Sequence, residues 1–377
     1  MNRQLYRIGI RLVPPAKLSF SPWTGPSPAR GLQAQMLSVL REEKVRGGAL
    51  AVSDGETVSV AAFGQAHRNG SLPASCDTFF RTASVSKFVT AYAVLLLEKK
   101  GLLSLTKDIG DYLGFPVRNP AFPDQKITLS MLLSHTSSIR DGESYLSGLS
   151  ACPPVTELLQ KDCFAPWAPG EKWDYSNLAA GLIGCVLEGA LKKPFQQIME
   201  ETLFAPLKIA ASFCPSQVPG PLADCWRLFP PSFAPNYDGR KQKLLPAPAG
   251  IDLRRDYLMA HGRLCVRAGD LLEIARSAAQ SDIFPRMILE RASFGARDRD
   301  LCEGLGTFLY RHPGLPEVLY GHQGLAYGAV NGLFINARGE GFALLTSAAS
   351  EERMGVMTSL NKRMCETLFP QGRCRPW

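Results

Sequence analysis

The sequence predicts an α+β fold: an antiparallel β-sheet flanked by helices, with a mostly α-helical subdomain inserted between the two parts of the chain that build the sheet. Three observations carry this expectation. Strand patterns lie toward both ends, at 48–64 and again at 306–347. Between about Leu105 and Pro285, helical patterns alternate with loops rich in proline and glycine. The 377 residues suffice for one large core with two subdomains. The expected organisation is an irregular lead-in over 1–30, then a single domain over 31–377. Its α/β part spans about 31–104 and 286–370, and its helical part about 105–285.

The elements follow in order. Pro14, Pro15, Pro22, Pro26 and Pro28 punctuate the lead-in. Gly31–Lys44 places Leu32, Met36, Val39 and Leu40 on one helical face. Gly48–Val52 and Val58–Phe63 read as strands joined at Asp54-Gly55. A helix is expected from about Ser84 to Lys100, with Gly101 as its C-terminal cap and Lys99 and Lys100 at the negative end of its dipole. Leu178–Leu191 reads as a buried helix, Phe195–Leu203 as a short one opened by Pro194, and Asp270–Gln280 as another. Nine prolines between 205 and 260 predict long ordered loops that shape a pocket. Strands return at 306–310, 318–321, 329–336 and 341–347, the last two joined by a turn at 337–340. Glu351–Leu368 reads as the final helix.

Composition removes several function classes. Hydrophobic residues make up 45% and charged residues 20%, the balance of a soluble globular protein. The net charge of +8 comes from 42 basic and 34 acidic residues that are scattered, so no stripe suited to nucleic acid is present. The longest apolar runs, around Ala91–Leu97 and Leu178–Val186, fall far short of the roughly 20 residues a membrane span needs. Arg3, Arg7 and Arg11 have no apolar segment behind them, so no secretory signal is read and the expected compartment is the cytoplasm. The ten cysteines include no C-x-x-C pair and have no histidines clustered near them, which predicts ordinary thiols and no metal site.

The chemistry is carried by three short motifs. S-x-x-K occurs at Ser84–Lys87, Ser104–Lys107 and Ser359–Lys362, so the spacing alone decides nothing. Context separates the copies. Ser84 opens a long apolar helix, where free backbone N–H groups and the positive dipole end favour a developing oxyanion. Lys87 lies one turn on, on the same face. Burial there would lower its pKa and let it accept a proton. Tyr175-Ser176-Asn177 is the only Y-x-N in the chain. A phenol near a lysine can ionise and act as a base, and an asparagine amide can hold both lysine and substrate. His322-Gln323-Gly324 follows an apolar run that can form a strand edge facing the pocket, whereas His312-Pro313-Gly314 is a turn.

Together these residues resemble the serine β-lactamase and penicillin-binding-protein superfamily. The resemblance is to the class C-like branch with family VIII esterases, D-aminopeptidases, DD-carboxypeptidases and LACTB-type serine hydrolases. It rests on 80–87, on Leu132-Leu133-Ser134-His135-Thr136-Ser137, on Pro169-Gly170 with Tyr175-Ser176-Asn177, and on 321–324, and it covers roughly 30–370. The resemblance implies a β-lactamase/transpeptidase-like fold, a Ser84 acyl-enzyme, and Lys87 and Tyr175 as proton carriers. It implies that Asn177 orients the acyl side chain, that the N–H groups of Ser84 and Leu325 hold the oxyanion, and that His322 and Gly324 border the substrate. It implies no metal or cofactor. Two departures stand out. His322 replaces the usual lysine and removes a permanent charge that would grip a substrate carboxylate. Ser138 stands where relatives often carry glycine. His135 reads as structural. The expected activity is hydrolysis of a small ester or amide. An acyltransferase using the same residues, or a silent scaffold that keeps the fold, are the alternatives.

Overall fold

The computed structural model describes residues 3–148, 152–160, 162–233, 237–238, 241–242 and 250–371. The helices that matter here are α1 (Arg3–Leu12), α2 (Arg30–Glu42), α3 (Ser86–Lys99), α4 (Asn177–Leu191), α5 (Ala268–Ala279) and α6 (Ser359–Leu368). The main strands are β1 (Gly47–Asp54), β2 (Val58–Gly64), β3 (Ala292–Ser293), β4 (Leu301–Glu303), β5 (Phe308–Tyr310), β6 (Leu319–Ala326), β7 (Ala329–Ile335) and β8 (Glu340–Ala348). They form one eight-stranded sheet in the order β3-β4-β5-β6-β7-β8-β1-β2, with antiparallel neighbours throughout. The β1–β8 pairing, with Leu50 opposite Leu344, joins the two ends of the chain.

The sheet is covered on both faces, which explains why β1, β7 and β8 read as apolar runs and not as alternating strands. The period of two still sorts the side chains. Ala49, Ala51, Ala343 and Leu345 pack toward α3, α4 and α5, while Leu50, Val52, Phe342 and Leu344 pack toward α2 and α6. Helices α3 and α4 are apolar around almost their whole circumference and are buried accordingly.

Three expectations change. The lead-in is not irregular throughout. Residues 3–12 form α1, and backbone bonds from Ser21 to Ala62 and from Thr24 to Val60 lay 20–24 along β2 and close that edge. The prolines that suggested irregularity begin only at 14, after the helix ends. The last helix starts at Ser359 and not at Glu351, because Arg353–Met354 and Met357–Thr358 pair as a small hairpin turning at Gly355. The helix expected from Ser84 begins as a single 3-10 turn at Ala83–Val85, and α3 proper starts at Ser86. No disulfide joins any described cysteine, and Cys374 lies outside the described residues. None of the described helices is long and apolar enough to cross a membrane.

Candidate active site

The Ser84 turn is held from several directions. A small three-stranded piece pairs Phe80–Arg81 with Cys265–Val266, and the Thr82 N–H donates to the Leu264 carbonyl at 2.8 Å. Ala83 then takes a left-handed conformation, φ 51°, which strains a non-glycine residue by roughly 1–2 kcal/mol. Such strain persists only when its surroundings impose it. Here Ser86 does much of the imposing. Its Oγ donates to the Ala83 carbonyl at 2.6 Å, accepts the Leu264 N–H at 3.2 Å, and meets Thr82 Oγ1 at 3.0 Å.

Lys87 is almost wholly buried, and its Nζ lies 3.0 Å from Ser84 Oγ, 2.9 Å from Asn177 Oδ1 and 2.8 Å from the His261 carbonyl. Two of these partners can only accept. A neutral amine has two N–H bonds and one lone pair, so bonds to Asn177 and His261 leave the lone pair facing the Ser84 hydroxyl. Burial pushes the Lys87 pKa down to about 7, with the charges of Asp141 and Glu303 pulling the other way.

Asp141 was not visible as a site residue in the sequence. Its Oδ1 accepts from Ser176 Oγ at 3.0 Å and from the Leu178 N–H at 2.9 Å, and its Oδ2 accepts from Asn177 Nδ2 at 2.8 Å. The last bond fixes the Asn177 amide so that Oδ1, not Nδ2, faces Lys87. The Asp141→Ala variant is expected to lose about 1–3 kcal/mol in denaturant unfolding. Removing the anion also disfavours the Lys87 ammonium, so the acid midpoint of the pH–rate profile should move below that of the wild type. A midpoint that moves up would contradict this electrostatic coupling.

Tyr175 stands with its ring centroid 4.9 Å from Lys87 Nζ and 4.3 Å from the His135 ring. Burial raises its pKa, partly offset by a hydrogen bond with Ser84. The phenol is therefore held protonated, contrary to the ionised tyrosine that the sequence suggests. His135, expected to be structural, accepts the Ser176 N–H at Nδ1, 3.2 Å, while its own carbonyl accepts the Asp174 N–H at 2.8 Å. Burial, then the Lys87 charge, holds its pKa well below the usual value. Ser138 adopts φ 60°, the conformation that glycine takes without strain.

His322 lies one layer deeper than the pocket-facing strand edge expected for it. Its ring is 1% exposed and stacks on Phe308 at 4.2 Å. Nδ1 sits 2.5 Å from the Gln323 carbonyl, which makes Nδ1 the protonated nitrogen and leaves Nε2 buried with no hydrogen-bond partner among the described residues. Burial and the Lys87 charge bring its pKa down to about 3, so the ring is neutral. Glu303 on β4 is a second buried group that the sequence did not flag. Desolvation raises its carboxyl well above the usual range, and Trp173 and Lys87 only partly offset this.

Gly324 is where β6 meets the Ser84 turn. A Cβ there would lie 2.0 Å from the Thr82 carbonyl oxygen, so no larger residue permits this approach. Leu325 follows. Its partner across the β6–β7 ladder is Val330, which turns both N–H and C=O to Thr346 Oγ1 on the β8 side, at 2.9 and 2.8 Å. Opposed residues of an antiparallel pair exchange both bonds or neither. The Leu325 N–H therefore points away from β7, toward the edge of β6 that abuts Thr82–Ala83.

Ser84, Asn177 and Leu325 open onto a cleft of about 650 Å³. Tyr145 and Leu146 line it from one side, and Arg227 and Leu258 from the proline-rich loops between 205 and 260. Trp167, Trp173 and Trp226 are not among the residues that line it. Trp173 packs on Phe294 at 4.0 Å, Trp226 is buried, Trp167 lies under Lys172, and the Tyr237 side chain is outside the described residues. In the rival S-x-x-K copies the lysines are engaged by carboxylates: Lys107 pairs with Asp111 and Lys362 with Asp298.

The chain is similar to known proteins in sequence and in fold. The chain is 26% identical over 182 residues to "Penicillin-binding protein 4*" of Bacillus subtilis, covering 46% of this chain and 39% of that one. It is 32% identical over 197 residues to "Esterase EstB" of Burkholderia gladioli, covering 48% and 50%. The chain thus spans half or less of the length of these two relatives. The solved structure of "EstCE1, a hydrolase with promiscuous acyltransferase activity" superposes with a TM-score of 0.70 at 20% identity, covering 90% of this chain and 97% of that one, which shows a shared fold. Residues 32–362, most of the sequence, match the Beta-lactamase family, and the chain belongs to that family.

Proposed function

We propose that the chain is a serine hydrolase that cleaves a small ester or amide through an acyl-enzyme on Ser84. The observation that carries this reading is the Lys87 amine, with a pKa brought down to about 7 and its lone pair directed at Ser84 Oγ. Neutral Lys87 takes the hydroxyl proton as Ser84 attacks the carbonyl carbon. The oxyanion is held by the Ser84 and Leu325 N–H groups. Tyr175, protonated at rest, gives its proton to the leaving group as the tetrahedral intermediate collapses. In deacylation the tyrosinate takes a proton from water, which attacks the acyl carbon, and the Lys87 ammonium returns its proton to Ser84. Asn177 keeps Lys87 in place and borders the acyl chain, and the neutral His322 supports Tyr175 from below.

The test is covalent labelling by a fluorophosphonate probe, with mass spectrometry of the modified peptide. Wild type should carry the adduct on Ser84, and Ser84→Ala should carry none while keeping its melting temperature. An unlabelled wild type, or an adduct on another serine, would overturn the assignment. A second reading, acyl transfer to an alcohol, is favoured by the open cleft at Ser84 and by the promiscuous acyltransferase activity of EstCE1, which shares this fold. It is read as product ester that rises with acceptor concentration at constant total turnover.

A further inference from the structure

Helix α1 turns an apolar face to solvent. Leu5 is 59% exposed, Ile8 60% and Leu12 80%. At 3.6 residues per turn these three share an arc of about 60°. Single exposed apolar side chains are ordinary, but three on one stripe of a ten-residue helix are not scatter. The helix is nonetheless docked on the body of the protein. Its inner face carries Ile10, which is buried, and Gly9, which lies against the Phe229 ring. Tyr6 Oη accepts the Glu351 N–H, and Arg3 Nη2 donates to the Arg353 carbonyl at 2.8 Å. The Leu5-Ile8-Leu12 stripe is therefore left over after docking.

Charge says what kind of surface fits it. Residues 1–41 hold six basic side chains and no acidic one, so most of the net charge of +8 lies in this stretch. Arg3, Arg7 and Arg11 follow at intervals of four and form the third face of α1, beside the apolar stripe. Arg7 is answered by Glu352 at 2.8 Å, whereas Arg11 and Lys17 make no ion pair among the described residues. A two-fold contact of this face with a second copy would set the arginine flank against itself. An anionic lipid surface answers both faces at once, with acyl chains for the stripe and phosphates for the arginines.

We propose that α1 seats the protein on an anionic lipid surface, with Leu5, Ile8 and Leu12 in the acyl-chain boundary and Arg11 among the headgroups. The helix lies on the surface and does not span it, since ten residues rise only about 15 Å against a hydrocarbon core of about 30 Å. Glu351 lines the cleft and donates its N–H to Tyr6, so a seated α1 carries the cleft rim to the lipid surface. The proposal stands independently of the acyl-enzyme reading.

Co-sedimentation of the full chain with vesicles tests it. One set is phosphatidylcholine alone, and the other is phosphatidylcholine and phosphatidylglycerol in equal parts. At low salt the anionic vesicles should bind wild type about tenfold or more tightly than the neutral ones, and rising salt should erode that ratio. The double variant Ile8→Asp with Leu12→Asp should lose about tenfold or more in binding to anionic vesicles while keeping the wild-type melting temperature, because both side chains are exposed. If that variant does not fold, Ile8→Ser with Leu12→Ser replaces it. Arg11→Glu should weaken anionic binding and leave neutral binding unchanged. Failure of wild type to sediment with anionic vesicles overturns the proposal. Equal binding by the double variant places the contact elsewhere and overturns the assignment to α1. Equal binding to both vesicle sets overturns the role of charge. A dimer in sedimentation velocity that the double variant disperses, with no vesicle binding, gives the face to a second copy and overturns the lipid reading.

Discussion

Turnover of a neutral activated ester such as 4-nitrophenyl butyrate should fall below about pH 7 with the slope of a single proton. The group responsible is Lys87, whose pKa is lowered to about 7 chiefly by burial. The sign follows from its role. As a base the lysine must be neutral, so activity is present above its pKa and lost as pH falls through it. The profile of kcat/KM reports this group in the free enzyme. Lys87→Ala should lower kcat/KM by about 10²–10⁴-fold, the usual range for losing a positioned general base. Lys87→Arg separates base from anchor. Arginine can reach the same two acceptors, Asn177 Oδ1 and the His261 carbonyl, but it has no lone pair to offer Ser84. It should be as inactive as alanine. An arginine variant within tenfold of wild type would show that Lys87 acts only as a fixed charge.

The second large effect is expected at Gly324. The Gly324→Ala methyl would meet the Thr82 carbonyl oxygen at 2.0 Å, and backbone lies on both sides of that contact. Either β6 or the Ser84 turn must retreat. Overpacking of this kind destabilises by about 1–3 kcal/mol, read as a lower melting temperature. The chemical consequence should be larger than the structural one. The Leu325 N–H is the next donor along β6, and misplacing one oxyanion donor lowers kcat by about 10²–10³-fold. Single-turnover acylation should slow by that factor while the acid midpoint near pH 7 stays, because Lys87 is untouched. Unchanged acylation in a folded variant would show that the Leu325 N–H does not hold the oxyanion.

The contrast between these residues shows what can be read in advance. Ser84 and Lys87 share a helix face by spacing alone, and Tyr175 and Asn177 are joined by a unique tripeptide. Such local patterns survive in one dimension. Asp141 cannot be found that way, because it caps α4 from 36 residues upstream of Asn177 and no periodicity announces it. Helix α1 does leave a trace in the sequence. Leu5, Ile8 and Leu12 recur at helical spacing, and the prolines that mask the pattern lie beyond it. Its role leaves none. Tyr6 Oη accepts the Glu351 N–H at 2.6 Å and Arg7 pairs with Glu352 at 2.8 Å, so the start of the chain braces the rim of the cleft.

By itself, the sequence determined the sheet built from both ends of the chain, the order of the motifs, and the pairing of Ser84 with Lys87. These follow from period-two and helical patterning and from contacts within one turn. Tertiary structure alone decided the protonation states and the lining of the cleft. Tyr175 and His322 are neutral, and the Glu303 carboxyl is pushed well above its usual range, because packing removes water from them, and burial is not a property of any single segment. Ser84, Asn177 and Leu325 share one cleft because the sheet, the Ser84 turn and α4 meet there. Residues scattered along the chain became neighbours only when folding brought those segments together.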